Sequence, residues 1–182
     1  MFVEGLRTEE DYLLYWHRLH RTKVNVHIDA FRGAPRQLVE RAALAKRKSE
    51  RDERRGRGRA YDEVWCMFDI DEHPLLHEVR TMASDNGIGL AVSSPCIELW
   101  FLLHFADQTA HIERQEAQRR SAERLHCDKA LSTDALEALE PRHPEARHRA
   151  QALDVKHEAD GSPAWTNPSS SAWRIVDTIQ GG

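Results

Sequence analysis

Cysteine is scarce in this chain of 182 residues, and the three present, Cys66, Cys96 and Cys127, form no Cys-x-x-Cys pair. The odd number argues against a disulfide framework and the spacing against a thiolate metal site, so a reducing cytoplasm is the expected compartment. Long apolar runs are also missing. The longest, 99–103 among them, has five residues, far short of the roughly 20 needed to cross a bilayer; neither a signal peptide nor membrane association is expected. Nor is there an overall excess of positive charge: 26 Lys and Arg stand against 30 Asp and Glu, a formal charge of −4, so the whole molecule gives no reason to expect nucleic acid. The imbalance is local, because between Arg36 and Arg59 ten basic residues face four acidic ones. That stretch is either a solvated helix face or a contact to nucleic acid through Arg47, Arg51 and Arg55. Histidines 111, 126, 143, 148 and 157 have no zinc-site spacing and are read as surface residues.

What is present is a core-forming α/β pattern. At 40% apolar content the chain suits one α/β unit over residues 1–110 with a helical extension over 111–182. Its centre is the stretch Val64-Trp65-Cys66-Met67-Phe68-Asp69-Ile70-Asp71. Five apolar residues in a row are too few for a free-standing helix and suit a parallel strand covered on both faces. Asp69 and Asp71 follow at its end, where open α/β sheets place their ligand crevice, and two carboxylates on one strand end can hold a hard cation such as Mg2+. A solvated turn opening the next helix is the plainer alternative for the same residues.

Before this strand, residues 1–3 read as a short, clipped strand ending at Glu4, as a misassigned start or a truncated chain would produce. Thr8 caps a helix, with Asp11 three residues on and Leu13, Leu14, Trp16 and Leu19 on its apolar face. Alternating Val24, Val26 and Ile28 predict a second strand over 24–29 near a sheet edge, and helix propensity predicts a helix over 37–55, stopped by Gly56. After the centre, Pro74 opens a helix with Leu75, Leu76, Val79 and Met82 at helical spacing, Asn86-Gly87 stops it, and 88–93 is another buried strand. The helix over 96–105 is apolar almost all round. Glu98 is its exception, and a carboxylate there must be paired, metal-bound or turned to solvent. His104 reads as a capping or core residue. Charged helices follow over 114–125, 128–139 and 141–157, and a final helix over 172–179 starts from a serine-rich segment that caps itself.

The acidic points, Glu4 after the first strand and Asp69-x-Asp71 after the third, resemble the Toprim domain of topoisomerases, primases and OLD-family nucleases. The chain is most similar to the RloB family of prokaryotic Toprim-like proteins. The resemblance rests on Val3-Glu4-Gly5 with Thr8-Glu9 and Tyr12, on 64–74, on Ser94-Pro95-Cys96-Ile97-Glu98-Leu99-Trp100 through Phe105, and on Asn167-Pro168-Ser169-Ser170-Ser171. It implies a small parallel, Rossmann-like sheet with crossover helices and a C-terminal helical extension. It also implies a Mg2+ site (or Mn2+ in its place) formed by Glu4, Asp69 and Asp71, and a role in phage defence or a mobile element beside an ABC-type or AAA-type ATPase.

The favoured expectation is a metal-dependent nuclease or other phosphoryl-transfer enzyme on DNA or RNA. Asp69 and Asp71 would hold the metal, Glu4 would act as general acid or base or as a ligand, and Glu98 would complete the first metal site or hold a second. Two alternatives stay open: a haloacid-dehalogenase-like phosphatase with Asp69 as nucleophile, weakened by Glu72-His73-Pro74, and a non-catalytic adaptor that binds nucleic acid or the ATPase.

Overall fold

In the computed structural model, which describes residues 1–5, 7–70, 76–127 and 130–181, three parallel strands and one antiparallel edge strand form a sheet in the order β1-β2-β3-β4. β1 is Phe2–Val3, β2 is Trp65–Asp69, β3 is Gly89–Ser94 and β4 is Ser169–Ser170. The apolar run of β2 lies in the middle because side chains alternate across it. Met67 joins Val3 and Ala91 on one face, while Cys66 and Phe68 join Phe2, Val64 and Val92 on the other.

Helices cover both faces. α1 (Thr8–His20), α4 (Ile97–Leu103) and α8 (Ala172–Gln180) pack on the first, where the core continues into α5 (Arg114–Leu125), α6 (Thr133–Leu139) and α7 (His143–Ala159). α2 (Pro35–Arg54) and α3 (Leu76–Asn86) cover the second. This is the α/β, Toprim-like arrangement with a C-terminal helical extension that the strand and helix alternation implies. Among the described residues no helix is long and apolar enough to cross a membrane.

The structure corrects several local expectations. Residues 24–29 form no regular strand. The Met1 amino group donates to the His27 carbonyl, and the Asp29 amide donates to the Met1 carbonyl at 2.9 Å. That is a single parallel bridge along the outer edge of β1, and two residues of β1 are too short to carry a ladder further. Ser169 and Ser170, read as helix-start residues, instead form β4: Ser170 pairs with Ser93 and Ser169 with Ser94, and the Ser170 and Ser93 hydroxyls bond at 2.9 Å. In α1, Arg7 rather than Thr8 occupies the cap position. The buried stripe of that helix is Glu9, Tyr12, Leu13, Tyr15 and Trp16, leaving Leu14 and Leu19 exposed.

Two histidines expected on the surface are buried as well. His143 lies against Trp16 and Trp100, with ring centroids 5.1 Å and 5.7 Å away, and its Nε2 pairs with Asp177 at 3.2 Å. His157 donates from Nε2 to the Pro168 carbonyl at 3.0 Å. Each buries its ring while committing one nitrogen to a fixed acceptor, which makes burial tolerable for so polar a side chain. His104 is a core residue as expected. Its Nδ1 donates to the Trp100 carbonyl at 2.8 Å, and burial pushes its pKa down to about 3.

Candidate active site

Parallel register brings the strand ends to one rim. Val3 pairs with Met67 and Asp69 with Ser93, and the Glu4 amide continues the β1 ladder to the Met67 carbonyl at 3.0 Å. Glu4 therefore leaves β1 beside the end of β2, and its Oε2 accepts the Asp69 amide at 3.2 Å. Glu98, in the first turn of α4, follows β3 by a short connection, so the carboxyl ends of all three parallel strands contribute an acidic side chain to this rim.

A fourth carboxylate comes from α1. Glu9 is 6% exposed and lies so close over Gly5 that a Cβ there would collide with its carboxyl oxygens. A side chain at residue 5 would push Glu9 out of the cluster. The signal for Glu9 was in the sequence: it lies three, four and seven residues before Tyr12, Leu13 and Trp16, on the same buried stripe.

These groups shift one another. Asp69, 9% exposed, is pushed up to about 8, first by burial and then by the charges of Glu9, Glu98 and Glu4, against the pull of Arg114. Glu9 is raised by burial, with Glu98 and Glu4 adding to it. The buried Cys96 thiol is raised by burial and by Glu98 and Asp69, and is no nucleophile at neutral pH. Glu98 Oε2 is buried with no hydrogen-bond partner. Oxygen-only donors crowded in this way suit a hard cation. Among the described residues, however, no three carboxylate, histidine or cysteine side chains stand ready to hold an ion.

A cation does reach the rim. Arg114, the first residue of α5, donates from its guanidinium to Asp69 Oδ2 at 2.7 Å. Nothing local marks it in the sequence, since it lies 45 residues from its partner. Its loop is held by Asn167: Oδ1 accepts the Ile112 amide at 3.1 Å while Nδ2 donates to the Ile112 carbonyl at 2.9 Å. The Asn167-Pro168-Ser169 segment thus ties β4 to the acidic rim.

The family model for RloB-like proteins matches residues 1–179. The chain belongs to the RloB-like family. No curated protein and no solved structure gives a significant match.

The remaining sequence candidates of this RloB-like chain are placed as follows. Asp71 lies outside the described residues, as do Glu72, His73 and Pro74. Arg47, Arg51 and Arg55 lie at the far end of the sheet from Asp69. α2 starts beside Arg32, which donates to the Gly5 carbonyl at 3.0 Å, and runs down to the start of β3. There Lys46 reaches the Gly87 carbonyl at 2.8 Å and Arg47 reaches Asn86 Oδ1 at 2.8 Å. Arg51 and Arg55 are solvent-exposed further along.

Proposed function

We propose that this protein is a Mg2+-dependent nuclease, or a related phosphoryl-transfer enzyme on nucleic acid, serving phage defence or a mobile element. The carrying observation is the four-carboxylate rim at the strand ends, where Asp69 is buried among Glu4, Glu9 and Glu98 and paired with the Arg114 guanidinium. Charges so crowded destabilise the fold and are characteristic of sites tuned for chemistry.

Glu4, Asp69, Asp71 and Glu98 would hold the ion, which when bound polarises the phosphoryl oxygen and lowers the pKa of attacking water. Glu4 keeps Asp69 in place by accepting its amide hydrogen. Glu9 binds its proton more tightly than an ordinary glutamate and would serve as a proton reservoir for the reaction. An ATPase partner belongs to the same reading and would be sought by co-purification.

The test is cleavage of DNA and RNA by the pure protein with Mg2+ or Mn2+. Cleavage is expected to require the ion, to stop on chelation, and to be lost in Asp69→Asn. The adaptor reading draws on the Arg114–Asp69 pair, which ties up one metal-facing oxygen. Nucleic-acid binding with no cleavage under any ion would favour it.

The distal arginines make a separate expectation. If 47, 51 and 55 track the nucleic-acid backbone, replacing all three by Gln weakens binding and flattens the salt dependence, by about 0.9 in log–log slope for each phosphate no longer neutralised on duplex DNA. An unchanged slope in a salt titration returns them to a solvated helix face.

A further inference from the structure

Arg114 is held at the rim rather than in the core. Its side chain is 36% exposed, against 12% for Asp69. The turn that delivers it is fixed, because both backbone polar groups of Ile112 are bound by the single amide of Asn167. From that anchor the guanidinium sits 2.7 Å from Asp69 Oδ2. A divalent ion needs a carboxylate oxygen at about 2.1 Å. Two cations cannot share one oxygen at such distances without strong repulsion, and arginine cannot shed its charge. When an ion takes Oδ2 of Asp69, the guanidinium turns away. Its exposed side gives it room to swing toward solvent, and its planar donor fork matches the oxygens of a phosphate.

We propose that Arg114 is a displaceable cation, paired with Asp69 while the acidic site holds no divalent ion and turning to a nucleic-acid phosphate when the ion binds. This rests on the metal-dependent reading above and adds a coupling to it. Ion and nucleic acid each favour the state in which Arg114 has left Asp69, so each tightens the binding of the other. Asn167 is a positioning residue: it sets the turn from which Arg114 reaches both partners.

The experiment is calorimetric titration of Mg2+ and Mn2+ into metal-free parent, Arg114→Gln, Arg114→Lys and Asn167→Ala, at about pH 9 so that protons compete little for the carboxylates. It is paired with anisotropy of a short oligonucleotide in Ca2+. Arg114→Gln is expected to bind the ion roughly tenfold more tightly, to bind the oligonucleotide more weakly, and to lose the mutual tightening. Arg114→Lys keeps the charge and is expected to bind the ion as the parent does, with weaker oligonucleotide binding because the fork is gone. Asn167→Ala is expected to shift ion affinity in the same direction as Arg114→Gln, by less. A merely structural arginine would lower both affinities when removed. Equal or lower ion affinity in a folded Arg114→Gln overturns the proposal while leaving the metal site standing; a parent that binds no ion overturns both. Should Arg114→Gln not fold, Asn167→Ala decides, and an ion affinity equal to or below the parent's counts against the proposal.

Discussion

In metal-free buffer, Asp69→Asn is expected to unfold at a higher temperature than the parent at pH 8, while its affinity for divalent ions and its cleavage of nucleic acid fall at least about a hundredfold. The stabilising half follows from the direction of the Asp69 shift. Its pKa is about 8 in the fold against 3.8 for the ordinary group, so the fold retains a proton that the unfolded chain releases. Stability from this source is complete below the unfolded value and is lost as pH rises toward 8. Glu9, also raised, acts in the same direction.

The buried histidines act in the opposite one. His104 and His143 have pKa values lowered from 6.5 by burial, so their contribution is full above that value and is lost as pH falls below it. Above pH 6.5 the histidine contribution is largely complete, and the group that still opposes the carboxylates is the Met1 amino group, whose pKa burial lowers from 8.0. A span of about 1.5 units, at about 1.4 kcal/mol per unit, amounts to about 2 kcal/mol. For a chain of this size that is a midpoint difference of roughly 4–8 °C gained by Asp69→Asn over the parent across the window. Asp69→Asn removes the titrating group and should flatten the curve, because the side-chain amide oxygen introduced there still accepts the Arg114 hydrogen bond without a buried charge. Thermal melts of both proteins in chelator across this window test the sign, since the Met1 amino group is common to the two: an advantage of Asp69→Asn over the parent that does not grow from pH 6.5 to 8 would mean that Arg114 keeps Asp69 ionised in the fold.

Trp100→Ala should cost about 3–5 kcal/mol, enough to leave a chain of ordinary stability marginal. Trp100 is fully buried. Its Nε1 donates to the Tyr12 hydroxyl at 2.8 Å, and its ring meets His104 edge-on with centroids 4.6 Å apart. Through Tyr12 and His143 it joins α4 to α1 and α7, and α1 and α4 carry Glu9 and Glu98 to the acidic rim. Trp100→Phe fills most of the space and isolates the hydrogen bond, whose loss with Tyr12 left unsatisfied costs about 1–3 kcal/mol. A double-mutant cycle with Tyr12→Phe, read by denaturant unfolding, measures that coupling; additive costs would mean the Trp100–Tyr12 bond contributes nothing beyond packing.

Local chemistry alone determined a good part of this protein. The apolar run before Asp69 could only be buried as a central parallel strand, the helix over Arg114–Leu125 was bounded by its own composition, and Gly56 and Gly87 ended α2 and α3 at positive φ, where a side chain is strained. Because a parallel sheet aligns its carboxyl ends, those features also brought Glu4 and Asp69 to one rim.

Contacts between distant segments required the tertiary structure. Two serines became β4 only because β3 offered an open edge beside them, and residues 24–29 stayed outside a regular ladder because β1 is too short to receive one. His143 and His157 look like surface residues until Trp16, Trp100, Asp177 and the Pro168 carbonyl are placed around them. Arg114 and Asn167 carry no local signature, since an ion pair or an amide clamp forms between residues that the fold brings together, whatever their separation along the chain. Glu9 stands between the two cases: helical periodicity put it on a buried stripe, but only the glycine beneath it and the carboxylates around it made that burial part of the site.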